Sequence, residues 1–164
     1  MWAHEHWFLN DSPDIVTFGT SAQASGLFTS PDLRPLEPHK LTTLGNGSMD
    51  KLVSFKVISD YIKRKRLLFK TEDCGAFIKT ELNRVNKQKR VFTNLRGYGT
   101  YLAFDVEDHK RAQHLQKFLL RNGILLGMIG PQTLGLRPSL LLEPLHAAHL
   151  RDAIDNYQPN LDLD

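Results

Sequence analysis

The sequence predicts an α/β fold in which helices pack on one β-sheet. The chain has 164 residues, of which 41% are hydrophobic and 24% charged, the composition of an ordinary globular protein. From residue 48 onward, apolar residues recur either at helical spacing or in alternation. The two patterns follow one another as helix, helix, strand, strand, helix, strand, strand, helix. Without internal repeats, this order fits a single α/β sandwich.

Two helices are predicted in the first half of this region. The first begins after Ser48, a residue type suited to cap a helix. Its apolar positions, at steps of three and four, are Leu52, Phe55, Ile58 and Ile62. The second helix follows at once, with Cys74, Phe77, Ile78, Leu82 and Val85 at the same spacing. Cys74 is therefore predicted to be a small buried hydrophobic residue.

Strands and helices are predicted to alternate in the second half. The stretch RVFTNLRGYGTYLAFDVED reads as two strands that meet at a Gly-x-Gly bend. Residues 109–122 have helical spacing, and Gly123 is suited to end that helix. The stretches ILLGMI and TLGLRPSLLL are predicted strands. The last helix covers EPLHAAHLRDAIDNY, with Pro144 in its first turn and Ala147, Leu150, Ile154 and Tyr157 on one face.

Residues 1–47 have a different character. They combine aromatic residues and prolines with the short β-like stretches DIVTF and GLF, and no helix of useful length is predicted there. The pattern changes at GNGSMDK, so we predict a domain boundary between residues 47 and 48. The second domain is expected over 48–158, with a tail over 159–164.

Composition and charge limit the classes of function. Lys and Arg outnumber Asp and Glu by 21 to 18, which permits contact with anions but is weak evidence for it. The basic runs KRKR at 63–66, on the first predicted helix, and KQKR at 87–90 lack interleaved aromatic residues that could stack on bases. We interpret both as solvated helix faces, so nucleic acid is not the expected partner.

The single cysteine excludes an intrachain disulfide and suits a reducing compartment. No apolar run approaches the ~20 residues that a bilayer span requires, so no membrane partner is expected. The stretch MWAHEHWFLND lacks the character of a transit or signal peptide. The compartment therefore stays open between the mitochondrial matrix and the cytoplasm.

Two histidine pairs resemble parts of metal sites. His4 and His6 would share a face if they lay on a strand, and His146 and His149 lie one turn apart on the last predicted helix. A metal site needs a third ligand, and neither pair has an evident one. Surface histidines explain both pairs better, and no metal is expected.

Two further motifs have simple structural explanations. Ser48 and Lys51 match the Ser-x-x-Lys of penicillin-recognising enzymes, but the other motifs of those enzymes are absent, and helix capping accounts for Ser48. The glycines of RGYGTYL lack the third glycine of a dinucleotide-binding loop.

Five stretches occur in an order that points to one family: WAHEHW, PDIVTFG, LTTLGN, LRGYGTYLAFD and LGLRPSLLLEPLHAAHL. Together they resemble the C-terminal part of class III pyridoxal-phosphate aminotransferases, most closely the 4-aminobutyrate branch, with the lysine ε-aminotransferase branch next. The resemblance implies fold type I. Residues 1–47 would be the remnant of the large cofactor-binding domain, and 48–158 the C-terminal α/β small domain.

The resemblance also identifies the position of the family's reactive lysine. In the family, that lysine follows the strand resembling DIVTFG and forms the Schiff base with the cofactor. Here Thr20 stands at this position, followed by Ser21, and no lysine precedes Lys40. Since a hydroxyl cannot form an imine, the chain is expected to be catalytically inactive and not to bind pyridoxal phosphate covalently.

Other family positions are implied in the same way. Gly135 stands where relatives have the arginine that binds the substrate carboxylate. Arg137 resembles an arginine that neighbours the substrate site and pairs with an acid outside this chain. Thr43 resembles a threonine donated across a dimer interface to the cofactor phosphate, although it could equally be a turn residue without a ligand.

Three functions therefore remain open from the sequence. The first is an inactive C-terminal portion, or pseudoenzyme, of an aminotransferase whose family transfers an amino group to 2-oxoglutarate. The second is a non-catalytic structural or interaction subunit that has recruited the fold. In the first, the chain is expected to oligomerise with itself or another protein through the truncated large-domain face. In the second, the charged helices are expected to supply the contacts. The third and weaker function is nucleic-acid binding through the basic runs.

Overall fold

The computed structural model describes residues 2–19, 23–37 and 48–159. The chain divides into two compact units, Met1–Arg66 and Leu67–Asp164. This division lies after the first long helix, whereas the sequence places the boundary before it. The assignment of these parts to a large and a small aminotransferase domain stays a prediction.

The first unit contains a β-hairpin and one helix. Strands β1 (Ile15–Phe18) and β2 (Gly26–Thr29) pair antiparallel, as the β-like stretches predict. Helix α1 (Met49–Arg64) follows, and short 3-10 helices cover Ala3–His6 and Pro31–Leu33. None of the residues of α1 is buried.

Aromatic rings supply most of the packing in this unit. Phe18 stacks on Phe28 and on Phe55, with ring centroids 5.4 and 5.2 Å apart, and Trp2 meets Phe28 edge to face at 5.6 Å. Such pairs stabilise by about 0.5–1.5 kcal/mol beyond the area they bury. The hairpin and α1 are thus held together by a few rings.

The second unit has the predicted order of elements. It comprises α2 (Leu67–Lys89), β3 (Thr93–Tyr98), β4 (Tyr101–Asp105), α3 (His109–Arg121), β5 (Gly127–Met128), β6 (Thr133–Leu136) and α4 (Pro144–Asn156). The four strands form one antiparallel sheet in the order β3-β4-β6-β5.

The core of the second unit lies between this sheet and the three helices. The alternating residues Leu102 and Phe104 of β4 and Leu134 of β6 are at most 1% exposed. The helices add their apolar faces, as predicted, through Cys74, Ile78, Leu82, Val85, Leu115, Leu119, Ala147, Leu150 and Ile154. Burial raises the pKa of the Cys74 thiol.

Helix ends follow the local sequence signals. The Asp108 carboxylate accepts a hydrogen bond from the Arg111 amide at 2.8 Å and caps α3, and Gly123 after this helix has φ +76°. Pro144 opens α4. Ser48 stands at the N-cap of α1 as predicted, but its hydroxyl donates to the Asp50 carboxylate and does not cap the helix.

Three details of the predicted elements are wrong. The strand predicted in TLGLRPSLLL ends at Leu136, because Pro138 has no N–H to donate to a ladder. The strand in ILLGMI is only Gly127–Met128. The run 63–66 is only half helical, since α1 ends at Arg64 and Arg66 adopts φ +50°. His4 and His6, which would share a face only on a strand, lie on a 3-10 helix.

Helix α2 approaches the turn between β3 and β4 unusually closely. A Cβ atom on Gly75 would lie 2.1 Å from the carbonyl oxygen of Gly99. The Lys79 ammonium donates to the Gly97 carbonyl at 2.7 Å, and the Tyr98 hydroxyl donates to Glu72 at 2.5 Å. Only a glycine at position 75 permits this backbone contact.

Candidate functional site

A groove of about 670 Å³ lies in the second unit, within the range typical of small-molecule sites. Its walls are the segment from Gly123 to Ile129, the end of β6 with the following Pro138, and the first two turns of α4. We call it the Arg137 groove. Its lining side chains are predominantly apolar, namely Ile78, Ile124, Leu125, Leu126, Met128, Ile129, Leu136, Pro138, Leu142 and Leu150.

Arg137 supplies the permanent positive charge of the groove. It follows directly after β6, and its guanidinium lies over the ring of Tyr101, 5.2 Å from the centroid. A cation over a tyrosine ring gains about 0.5–1 kcal/mol at an exposed site. Among the residues that the structure describes, no carboxylate contacts this guanidinium.

Gly135 also lines the groove, one alternation before Arg137 on β6. It is paired with Ala103 of β4 on one side and with Gly127 of β5 on the other. A Cβ atom on Gly135 would lie 2.3 Å from Cδ1 of Ile129. The isoleucine therefore occupies the space through which a side chain at position 135 would leave the strand.

His146 and His149 lie on the rim of the groove, on the first turns of α4. In each histidine, one ring nitrogen forms a hydrogen bond with a backbone group. His146 Nδ1 accepts from the Glu143 amide at 3.1 Å, and His149 Nε2 donates to the Asn122 carbonyl at 2.9 Å. Both side chains are exposed, as the interpretation of surface histidines predicts, and their bonds fix the start of α4 and the end of α3.

A polar network holds β6, the strand that carries Gly135 and leads into Arg137. Asp105, at the end of β4, accepts hydrogen bonds from the Thr133 hydroxyl at 2.7 Å, from the Asn94 amide at 2.8 Å and from Arg96 at 2.9 Å. The bond from Thr133, supported by Asn94 and Arg96, lowers the pKa of the Asp105 carboxyl below its usual value. Sequence analysis missed this network.

The remaining candidate residues of the sequence lie outside the groove. Thr20 and Thr43 fall outside the described residues. His4 and His6 belong to the first unit. No group of three His, Cys, Asp or Glu side chains that could hold a metal occurs in the described ranges. Within those ranges, no helix is both long and apolar enough to cross a bilayer.

Comparison with known proteins gives one consistent match. Residues 1–157 match the family model described as aminotransferase class III. Among curated relatives, 4-aminobutyrate aminotransferase of Emericella nidulans is 35% identical over 94% of this chain, and that of Dictyostelium discoideum is 29% identical over 98%. The chain spans about a third of the length of these two relatives, 31% and 32%.

Solved structures give the same fold. Lysine aminotransferase from M. tuberculosis in the internal aldimine form superimposes with a TM-score of 0.80, at 20% identity, over 93% of this chain and 36% of that one. Acetylornithine aminotransferase from Elizabethkingia anophelis has a TM-score of 0.76, also at 20% identity, over 89% of this chain and 40% of its own. The predicted fold, the C-terminal part of a pyridoxal-phosphate-dependent transferase, is confirmed.

Proposed function

Because the chain belongs to the class III aminotransferase family, we propose that it is the C-terminal portion of an aminotransferase of the 4-aminobutyrate type, and that these 164 residues do not transfer amino groups by themselves. The two 4-aminobutyrate aminotransferases named above support the assignment to this branch of the family. In the whole protein, the amino donor would be an ω-amino acid such as 4-aminobutyrate and the acceptor 2-oxoglutarate.

The residue that carries this proposal is Thr20. Strand β1 ends at Phe18, so position 20 follows it closely, where the family resemblance expects the reactive lysine. A threonine hydroxyl has no primary amine to condense with a carbonyl. Lys40 is the first lysine of the sequence, so a shift of one or two positions in the comparison does not supply an amine.

The cofactor of the family does not fit the residues of this chain as a covalent ligand. Class III aminotransferases use pyridoxal phosphate, which supplies an aldehyde and an electron sink when bound. The donor set around position 20 contains hydroxyls but no amine. Thr43 would offer a phosphate contact only, so no catalytic step is assigned to this chain.

Borohydride trapping tests the proposal. The purified chain is incubated with pyridoxal phosphate, reduced, digested and mapped by mass spectrometry. We expect no phosphopyridoxyl adduct concentrated on one lysine, and no glutamate formation from 4-aminobutyrate and 2-oxoglutarate above the buffer control. M. tuberculosis lysine aminotransferase, which has been solved in its internal aldimine form, serves as the positive control for trapping. A single stoichiometrically labelled lysine, or measurable turnover, would refute inactivity.

A second function, that of a non-catalytic interaction subunit, is supported by the surface of α1. This helix buries no residue, and its apolar side chains Met49 and Val57 are 70% and 61% exposed, with Leu52 and Val53 also exposed. Exposed apolar side chains at steps of three and four along one helix favour a contact face. The chain would then act by binding a partner through α1. The partner would be a second copy of this chain or another subunit.

Light scattering after size-exclusion chromatography tests this second function. We expect the wild-type chain to elute as a dimer or larger species, and Leu52→Glu with Val57→Glu to shift it toward the monomer. The exposed substitution Lys51→Glu on the same helix is the control for charge alone. A wild-type monomer at all concentrations would exclude self-association through α1.

The compartment is part of the same proposal. Cys74 is the single cysteine, is buried and is free, which suits a reducing environment. The pig relative, 31% identical over 91% of this chain, is mitochondrial by name. We propose the mitochondrial matrix, with the cytoplasm as the alternative, and fractionation of cells expressing the native gene would distinguish the two.

A further inference from the structure

We infer that a second, smaller pocket of the second unit binds the phosphate group of a small phosphomonoester. Its lining consists of residues 90–93, Val106, Glu107, Arg111, Tyr157 and Pro159, and we call it the Arg90 pocket. It shares no lining residue with the Arg137 groove. The inference does not depend on Thr20 or on amino-group transfer, so it can fail while the proposed function stands.

The pocket is small and has an apolar floor. Its volume is about 210 Å³, below the roughly 300–1,000 Å³ typical of sites for drug-sized ligands. Val91, Phe92, Val106 and Tyr157 form the floor and belong to the buried core, whereas the other lining residues are exposed and form the rim. A fitting ligand therefore has a small organic group for the floor and a polar group for the rim.

Two arginines dominate the charge of the rim. Within the described ranges, Arg90 contacts no carboxylate. Arg111 donates to Glu107 through one terminal nitrogen of its guanidinium. Burial raises the pKa of the Tyr157 hydroxyl, and the charge of Arg111 partly opposes that increase, so this charge reaches the floor of the pocket. With two arginines and one glutamate, the rim is net positive and favours an anion.

The backbone holds both arginines in place. Arg90 follows α2 with φ +52°, and its amide donates to the Asn86 carbonyl at 2.8 Å. The Asn86 side chain donates to the Phe92 carbonyl at 2.7 Å and accepts from the Phe92 amide at 3.0 Å. Arg111 lies in the first turn of α3, where its amide donates to Asp108 at 2.8 Å. The pocket is therefore preformed, which lowers the entropic cost of binding.

A phosphate group satisfies this rim better than a carboxylate does. A carboxylate offers two coplanar oxygens, which a single guanidinium can occupy. A phosphomonoester carries a charge of about −1.5 to −2 at pH 7 and has three terminal acceptor oxygens, so Arg90 and Arg111 can both donate to it. The carboxylate of Glu107 repels the same ligand. Removing Arg90 should therefore weaken binding, and removing the charge of Glu107 should strengthen it.

An NMR titration of the ¹⁵N-labelled 164-residue chain at pH 7 and constant ionic strength, without pyridoxal phosphate, tests the inference. Phenyl phosphate should shift the amide signals of Arg90, Thr93, Glu107 and Arg111 saturably. Benzoate, which has the ring with a carboxylate, should bind at least about tenfold more weakly, because it forgoes charge-assisted hydrogen bonds. Inorganic phosphate should bind about fivefold more weakly, because it has no apolar group to bury on the floor.

Three variants complete the test. Arg90→Gln should weaken the binding of phenyl phosphate about tenfold or more. Glu107→Gln should strengthen it about fivefold, because a repulsion at close range is removed. Lys87→Gln, which changes an exposed lysine of α2 outside the pocket, should leave it unchanged and is the control for net charge. All three side chains are exposed, and preserved spectra will show that the variants fold.

Several outcomes would overturn the inference. Binding of phenyl phosphate could fail to saturate, or benzoate could bind as tightly, which would remove the preference for phosphate. Inorganic phosphate binding as tightly would assign the pocket to the free ion and overturn the ester. Unchanged binding to Arg90→Gln, binding to Glu107→Gln that is no tighter than to wild type, or an equal loss in Lys87→Gln and Arg90→Gln would each contradict the site.

Discussion

Asp105 shows how one side chain can join three of the four strands of a sheet. Its carboxylate joins β3, through Asn94 and Arg96, to β6, through Thr133. Asn94 adopts φ +51°, a conformation that asparagine tolerates better than most residues, at the irregularity in the β3–β4 pairing. The side chain of Asp105 is 19% exposed, so its ion pair with Arg96 is shielded more than one on an open surface.

Replacing Asp105 should therefore destabilise the second unit in a pH-dependent manner. The folded-state pKa of this carboxyl lies below its value of 3.8 in the unfolded chain, so the stabilisation is complete above pH 3.8 and is lost as the pH falls through the folded-state pKa. We expect Asp105→Asn to lower the free energy of unfolding by about 1–2 kcal/mol at pH 7, measured with urea, because charge-assisted hydrogen bonds are lost.

The difference in unfolding free energy between wild type and Asp105→Asn should become smaller as the pH falls below 3.8. Glu107→Gln is the matched control, because Glu107 pairs with Arg111 on an exposed surface and should change stability by less than about 0.5 kcal/mol. An unchanged gap between pH 7 and pH 3 would contradict the assignment of the effect to ionised Asp105.

At the scale of elements, the contact between α2 and the β3–β4 turn leaves the least space for a side chain. The helix backbone at Gly75 meets the turn backbone at Gly99, and Gly97, near the end of β3, has φ +123°. A Cβ atom on Gly97 would lie 2.1 Å from the Tyr101 carbonyl oxygen. Backbone atoms cannot rotate away as a side chain can, so the whole helix would have to shift.

Gly75→Ala is expected to lower the unfolding free energy by about 1–3 kcal/mol, the usual range for overpacking. Gly127→Ala is the control, because nothing lies within 4 Å of the added Cβ there. Urea unfolding followed by circular dichroism measures both variants. Equal stability of the two variants would show that α2 can move away from the turn without loss.

The elements could be predicted from the sequence because each one carries its own signal. The apolar stripe of α3 and Gly123 after it lie within one short stretch, as do Pro144 and the buried face of α4. The groove could not be predicted. Ile129 covers Gly135 only because β5 and β6 pair in one register, and Thr133 reaches Asp105 across 28 positions of the chain.

For the whole molecule, the two units differ in how much apolar surface they bury. In the described residues, Ala24 is the only buried hydrophobic residue of Met1–Arg66, while every other such residue belongs to Leu67–Asp164. Since burial of apolar surface is the dominant favourable term in folding, stability should be concentrated in the second unit. A domain of about 100 residues with one continuous core can fold by itself.

Two fragments cut between Arg66 and Leu67 test this division. The fragment 67–164 should unfold cooperatively on heating and give a dispersed NMR spectrum. The fragment 1–66 should have the spectrum of a disordered chain, because a few aromatic contacts do not offset the entropy of ordering it. A dispersed spectrum for 1–66, or no thermal transition for 67–164, would contradict the division.

Cys74 gives this molecule an internal reporter. It is the only thiol, it is 3% exposed in the core of the second unit, and its raised pKa suppresses the thiolate that alkylating reagents need. The rate at which iodoacetamide modifies the native protein therefore measures how often α2 separates from the sheet. A chain of this kind carries its own probe of local opening and requires no added label.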